Sequence, residues 1–476
     1  MENILLLTID CLRSGRLRQA NRKAKTETLR ELSREGLFFE NAFATGPFTP
    51  ESFPGMFAGL ESRDTPHMEQ SYILKGIPSG APTVASELRK SGYKTVATIT
   101  NSHLTRERNF DHGFEAFSNL RTEGYNVSDN DDLQSGLGRL LSDLQSRFIE
   151  GGTNLPVFSK FGRGVYTGYR YSQYPDGWPS VDGKTVISRF VDDLQKANQN
   201  GEDSPVFGWA HLMDLHAPLH PDAVFAGPEP PTESLLRMLY WDSFRATQTS
   251  TKKYAPLYDA VLNYVDSLIQ NLIDGLKRMD VWHETTLIVT GDHGEALFGR
   301  DVFGHGQNYM FDEVLGVPLI VRTPDLDTRT IQRQFSLGWL HELISETTRA
   351  PDLDLPSSSR DTHTSQEGDS GVIVSDSINK YGHTISVRDG QHKLSMHAPA
   401  PGWDWPPKEL IGPLEEDAVF DLQNDPGELS PIEPTEAPEL KSLAEERITL
   451  PSEVPILGDS ISAEVENNLK DMGYML

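Results

Sequence analysis

Four short segments of the chain carry residue types that hold cations or move protons. Asp10 closes the apolar run Asn3–Ile9, and Asp214 and His216 follow the apolar run Val206–His211. Asp292 and His293 follow Thr286–Thr290, and His305 lies in the loop after that. Carboxylate oxygens and imidazole nitrogens suit hard and borderline divalent cations, and a sheet edge can gather such groups from distant sequence. Taken singly, each has an ordinary explanation, since Asp at a strand end is often a helix cap and a lone His is usually structural. Their recurrence at successive strand ends is what points to a site. A fifth segment, Gly46–Pro54, supplies a hydroxyl. Thr49 followed by Pro50 reads as a helix N-cap with proline at the first helical position, and Glu51 falls in the first turn. The free N–H groups and dipole of a helix start favour anions. A hydroxyl held there by a cation could ionise and attack a phosphorus centre, and capping is compatible with that role.

The elements that must position these groups follow a repeating order. Asn3–Ile9 is almost wholly apolar, as in a strand buried on both faces of a parallel sheet, with its polar residue delivered at the carboxyl end. Ligands of open α/β sheets bind beyond those ends. Helical patterns over Lys25–Glu35, Ala81–Ser91, Thr185–Ala197 and Ala255–Met279 alternate with strands at Thr95–Thr100, Val206–His211, Thr286–Thr290 and Val317–Arg322. That alternation predicts βαβ units and a mostly parallel central sheet flanked by helices. Gly371–Val374, His383–Arg388 and His392–Met396 predict a small antiparallel sheet, with Asp389-Gly390 as a hairpin turn. The expected division is a catalytic domain at 1–349, a Ser-, Asp- and Thr-rich linker at 350–370, and a C-terminal subdomain at 371–476 packed on the catalytic domain. The tail from Glu433 predicts two helices.

Composition limits the partners. The chain has 476 residues, 37% of them hydrophobic, enough for a large core. Its 70 acidic residues against 43 basic ones give a formal net charge of −27, which argues against binding nucleic acid or an anionic membrane through a general basic surface. An acidic coat with little Lys also suits a halophile's acidic proteome, where salt screens self-repulsion. The single cysteine, Cys11, excludes an intrachain disulfide. The N-terminus lacks a signal-peptide pattern and no stretch is long enough to span a membrane, so a cytoplasmic protein is the expectation.

The motifs together resemble the sulfatase family of the alkaline phosphatase superfamily. Asn3–Arg13 resembles that family's opening strand, whose Asp is a metal ligand, here Asp10. Leu32–Ala44 is similar to the segment leading into the nucleophile, and Thr49–Gly59 occupies the nucleophile helix. Thr290–Glu295 (Thr-Gly-Asp-His-Gly-Glu) resembles the second metal-ligand motif and implicates Asp292 and His293. His211–Pro218 looks like the segment whose His touches the scissile group, here His216. Phe303–Gly306 matches where the family places a substrate-contacting Lys or His, here His305. Val387–Leu394 and Val419–Glu428 resemble its C-terminal signature.

The departures narrow the chemistry. The family's active-site helix begins Cys/Ser-x-Pro-x-Arg and its Cys or Ser is oxidised to formylglycine, whereas this chain reads Thr49-Pro-Glu-Ser-Phe53. No formylglycine is expected from Thr. Cys11 stands where many sulfatases have a second metal-binding Asp. Asn101-Ser-His103 stands where a Lys-x-His pair is common, which makes Asn101 and His103 candidate substrate contacts. A Thr nucleophile resembles the phosphodiesterase and phosphoglycerol-transferase branches of the superfamily. The resulting expectation is a metal-dependent hydrolase or transferase of phosphate or sulfate esters, with a glycan, lipid-headgroup or small-molecule substrate. Asp10, Thr49, Asp292 and His293 would hold Mn²⁺, Zn²⁺, Mg²⁺ or Ca²⁺, with Asp214 and His220 as weaker candidates for a second site. Thr49 would be the nucleophile, and His216 and His305 would bind the transferring group or protonate the leaving group. The alternatives are an inactive scaffold on the same fold and a true sulfuric ester hydrolase.

Overall fold

The computed structural model describes residues 2–18, 24–122, 178, 180–199, 204–226, 251–297, 302–324, 328–347, 371–403 and 417–471. The expected linker at 350–370 lies outside the described residues.

An eight-stranded sheet organises the chain. Its strands in sequence are β1 (Asn3–Ile9), β2 (Leu37–Phe43), β3 (Lys94–Ile99), β4 (Ala116–Asn119), β5 (Val206–Leu212), β6 (Thr285–Gly291), β7 (Gly316–Arg322) and β8 (Arg329–Ser336). The spatial order is β8-β2-β7-β6-β1-β5-β3-β4. β1 is parallel to both neighbours, with Thr8 opposite His211 on β5 and Ile9 opposite Gly291 on β6. This register sets the carboxyl ends of β1, β5 and β6 side by side.

Strict alternation along β1 explains why its sequence is apolar throughout. Leu5, Leu7 and Ile9 enter one core, while Ile4 and Leu6 enter another on the opposite face. The first core includes Val186, Phe190 and Leu194 of one helix (Gly183–Gln199) and Val261, Val265 and Leu272 of another (Thr251–Arg278). The second holds Phe53 and Phe57 of the helix Thr49–Ala58 and Val84 and Leu88 of the helix Val84–Lys90. Helices thus cover both faces, as the mostly parallel sheet requires.

One strand departs from that parallel run. β7 is antiparallel to β6 and to β2. The run Val317–Arg322 contains no signal for direction, because a buried strand reads the same either way. The reversal has a structural consequence: the connection from β6 to β7 starts and ends on the same sheet edge. His293, Glu295 and His305 all lie within it.

The C-terminal sheet is an antiparallel meander of β9 (Ile373–Asn379), β10 (Gly382–Arg388), β11 (His392–Pro399) and β12 (Ala418–Asp421). Its first strand extends to Asn379, well past the expected Val374. The turn at Asp389-Gly390 forms as expected: Gly390 takes φ +94° and Asp389 Oδ1 accepts the N–H groups of Gln391 and His392 at 2.9 and 2.8 Å. Two tail helices, Pro438–Arg447 and Ala463–Asp471, follow.

A buried charge cluster joins this sheet to the segment before β7. Lys393 Nζ lies 2.5 Å from both Asp312 Oδ1 and Glu428 Oε1, and Arg388 Nη1 contacts both Asp312 oxygens at 2.8 Å. Both cations hold the Asp312 carboxyl well below its usual range against the opposing effect of burial. Lys393→Met strips the buried Glu428 of its cation. Urea unfolding is expected to show a loss of about 3–5 kcal/mol, as for other broken buried pairs. Adding Glu428→Gln is expected to recover part of that loss.

Candidate active site

The carboxyl edge of the sheet brings together residues separated by nearly 300 positions. Asp10 leaves β1 with its N–H bonded to Leu212 O at 2.9 Å. Asp292 and His293 leave β6 beside it. Asp10, Thr49, Asp292 and His293 are all fully buried. Thr49 Oγ1 donates to Asp10 Oδ2 at 3.2 Å and lies 3.5 Å from His293 Nε2. His293 Nε2 is 3.6 Å from both Asp10 Oδ1 and Asp292 Oδ2. Ser52 Oγ, one turn into the Thr49 helix, donates to Asp292 O at 2.6 Å and ties the helix start to β6.

The N-cap assignment made from sequence is corrected here. Phe48, not Thr49, is the cap residue, Thr49 is the first helical residue, and no side chain caps the helix. The hydroxyl is directed to a carboxylate in place of the backbone N–H groups. Glu51 lies in the first turn as expected. It is buried with Lys75 Nζ at 2.7 Å, and Ser62 and Ser377 hydroxyls donate to it at 2.6 and 2.8 Å. This network anchors the helix start to β9.

Further groups surround Asp10. Asn101 Nδ2 donates to Asp10 Oδ2 at 3.1 Å, so the structure places this expected substrate contact on a carboxylate. His211 Nε2 is 3.5 Å from the same oxygen, and the Cys11 thiol donates to Asp10 Oδ1 at 3.0 Å. Burial alone would raise the Asp10 pKa, but His216, His211 and His293 outweigh it and hold Asp10 well below the usual carboxylate range. Asp292 is raised instead, by burial and then by the nearby negative charge of Asp10.

The imidazoles expected from sequence assemble on one side. The His305 ring stands 4.4 Å from that of His293 and 5.1 Å from that of His216, centroid to centroid. Glu295 Oε1 lies 3.3 Å from His305 Nδ1. Burial lowers the His305 pKa, but the Glu295 carboxylate leads the groups that raise it overall. His216 is pushed down to about 4, chiefly by burial. His103 is also fully buried, with Arg108 Nη1 3.3 Å from its Nδ1. A guanidinium can only donate, so His103 Nδ1 accepts and its ring proton sits on Nε2. Arg108 itself is buried and shifted down to about 9 by that burial. His211, Glu295 and Arg108 were not singled out in the sequence. Glu295 follows the Asp292-His293 motif directly, whereas nothing local marks His211 or Arg108.

Asp214 and His220 do not join this cluster. Asp214 Oδ1 accepts the N–H of Gly183 at 3.0 Å, at the start of the helix Gly183–Gln199. His220 packs on Trp178 with centroids 5.3 Å apart.

The donor set at Asp10, Asp292 and His293 fits a divalent cation. These residues offer ligand atoms within 4.8 Å of one another. Asp292 Oδ2 is buried with no well-formed hydrogen bond and faces Thr49 and His293. Two buried carboxylates with one imidazole form a charge balance that a cation completes.

This sheet, its helical layers and its carboxyl-edge cluster define an alkaline phosphatase-type α/β fold. Residues 2–337 match the Sulfatase family, and the chain belongs to that family, whose members are ester-bond hydrolases that use a divalent metal. The chain is 32% identical over 84 residues to the uncharacterized sulfatase YidJ of Escherichia coli, a match spanning 17% of this chain and only 16% of that protein. Among solved structures, the phosphonate monoester hydrolase of Agrobacterium radiobacter is 16% identical, with a TM-score of 0.58 and 94% of each chain covered. A Bacteroides thetaiotaomicron protein from a locus for the metabolism of multiple glycosaminoglycans is 13% identical, with a TM-score of 0.58 and coverage of 99% of this chain and 96% of that one. Among the described residues, no helix is long and apolar enough to cross a membrane.

The placement of Asp214 generates a pH prediction. Burial raises its pKa to about 7, above the unfolded value. Below about pH 4 it is neutral in both states. Its ionisation then lowers stability progressively up to about pH 7. Asp214→Asn keeps an acceptor for Gly183 and removes that penalty. At pH 8 it is expected to stabilise the protein by about 1–3 kcal/mol in urea unfolding, with little change at pH 4. Mn²⁺ affinity is expected to stay unchanged, and its loss would make Asp214 a ligand.

Proposed function

We propose that this chain is a metal-dependent hydrolase of phosphate-type esters, with phosphodiesters and phosphonate monoesters favoured over sulfates, acting through a covalent bond to Thr49 Oγ1. One observation carries the reading. The first hydroxyl of a buried helix start is turned away from capping and onto Asp10 Oδ2 at 3.2 Å, with His293 Nε2 at 3.5 Å. A divalent cation held by Asp10, Asp292 and His293, for which the oxygen-rich donors suit Mn²⁺, Mg²⁺ and Ca²⁺, would lower the Thr49 pKa and offset charge on the transferring group.

The chain's own residues then divide the work. Thr49 Oγ1, held by Asp10, passes its proton toward Asp292, the carboxyl whose pKa is raised, and attacks phosphorus in line with the leaving oxygen. The bond to that oxygen breaks, and the leaving oxygen takes a proton from the His305–His216 side, where Glu295 orients His305 through Nδ1. Water, activated by the same imidazole, then cleaves the Thr49–phosphorus ester and restores the hydroxyl. An alcohol in place of water would make the enzyme a transferase. His103, with its proton fixed on Nε2 by Arg108, would donate to a non-bridging oxygen.

One consideration favours phosphorus over sulfur. Thr cannot yield the formylglycine aldehyde, so a sulfated Thr49 lacks the hydrate hydroxyl that would expel sulfate. The protein is read as cytoplasmic and salt-adapted, with 1–349 catalytic and 371–476 a packed subdomain.

The test is turnover of matched p-nitrophenyl phosphate monoester, diester, phosphonate monoester and sulfate with each metal, in buffers with and without molar salt. The diester or phosphonate is expected to turn over fastest, and Thr49→Ala to lose about 10³-fold or more in kcat/KM. Preferential sulfate turnover would overturn the choice of phosphorus. Full activity in Thr49→Ala would remove the nucleophile. Failure of every substrate with metal-loaded protein would favour the scaffold reading.

A further inference from the structure

Two groups of cation-binding side chains share one residue. Asp10, Asp292 and His293 form the first, and Cys11, His293 and His305 form the second, each with ligand atoms within 4.8 Å of one another. His293 Nδ1 is 2.8 Å from Gly294 O. A carbonyl has no proton to give, so Nδ1 carries the hydrogen and Nε2 alone has a lone pair for a metal. One lone pair serves one ion. The two groups are therefore alternative seats for a single cation.

Their chemistry differs. The first seat offers two carboxylates and an imidazole, with the Thr49 hydroxyl adjacent, a set for hard or borderline ions. The second offers a thiol and two imidazoles, a set for Zn²⁺, Cd²⁺ and Co²⁺. Cys11 Sγ is fully buried and directed into the site, 3.0 Å from Asp10 Oδ1 and 3.7 Å from His305 Nδ1. Glu295 Oε1, 3.3 Å from His305 Nδ1, takes the hydrogen of that nitrogen and orients the ring, which leaves Nε2 as the ligating atom of His305.

We propose that Cys11, His293 and His305 form a second, thiophilic cation seat that Zn²⁺, Cd²⁺ and Co²⁺ occupy, while Mn²⁺ and Ca²⁺ occupy Asp10, Asp292 and His293. This rests on the reading of His293 as a metal ligand. Occupation of the thiophilic seat exchanges the Cys11 S–H bond for a sulfur–metal bond and releases one proton to the buffer. It also moves the cation away from Thr49. Soft ions thereby oppose the ions that support Thr49, and the identity of the bound metal governs whether the hydroxyl is activated.

The experiment uses the full chain, stripped of metal with a chelator. Co²⁺ is expected to produce a near-ultraviolet thiolate-to-metal charge-transfer band. Cys11 is the only cysteine in the sequence, so the band has one possible source. Cys11→Ser is expected to lose the band and weaken Zn²⁺ by about tenfold or more, with Mn²⁺ affinity by electron paramagnetic resonance within about twofold of wild type. In the wild-type protein, which needs no variant to fold, one equivalent of Zn²⁺ is expected to expel one equivalent of bound Mn²⁺. Co²⁺ binding without a thiolate band would overturn the proposal. Simultaneous retention of Zn²⁺ and Mn²⁺ would overturn the alternative seating. If neither Mn²⁺ nor Co²⁺ binds, the reading of His293 as a ligand fails, and this proposal with it.

Discussion

Two aspartates, Asp10 and Asp292, are both fully buried at one sheet edge beside a threonine hydroxyl. Desolvated carboxylates this close repel one another, and the opposite shifts of their pKa values record it: Asp10 stays ionised while Asp292 is pushed up. A protein tolerates such a pair only with compensating positive charge or hydrogen-bond donors. Here the Thr49 hydroxyl, the Asn101 amide and the Cys11 thiol donate to Asp10 and contribute part of that compensation, and the donor geometry leaves room for a cation to complete it. Much of the architecture around the edge serves this arrangement. The parallel register of β1, β5 and β6 sets the strand ends together, and the reversed β7 holds the loop bearing Glu295 and His305 on the same edge.

The Thr49 helix is held by contacts that carry no charge transfer of their own. Ser52 ties it to β6, and the buried Glu51–Lys75 pair with Ser62 and Ser377 ties its first turn to the C-terminal sheet. The C-terminal sheet is in turn fixed to the segment before β7 through Asp312, Lys393 and Glu428. The position of Thr49 therefore depends on residues as distant in sequence as Ser377. Buried charge pairs of this kind are poor sources of net stability but severe when broken.

Much of this was legible in the sequence because strand ends are. Apolar runs followed by Asp or His marked β1, β5 and β6 within a residue or so, and the motif order along the chain identified the family. Three things were not legible. Direction was hidden in β7, since a strand buried on both faces has the same composition either way. The role of Thr49 at its helix was misassigned, because Thr before Pro is a strong capping pattern and only the tertiary position of Asp10 draws the hydroxyl elsewhere. Arg108 and His211 carried no local signal, because their significance arises from contacts with His103 and Asp10 that sequence spacing does not encode. Asp214 had the right residue type at the right strand end, yet it caps a helix start. Strand-end position alone does not separate ligands from caps.

The central claim is that Thr49 becomes covalently attached to the transferring group. The most direct measurement is rapid acid quench of metal-loaded protein during turnover of an aryl phosphodiester or phosphonate monoester, followed by mass spectrometry of the peptide containing Thr49. The account predicts a phosphoryl- or phosphonyl-bearing peptide with the added mass on Thr49, appearing before steady state and absent in Thr49→Ala. Steady turnover with an unmodified Thr49 at every quench time would contradict it and point to direct attack by water.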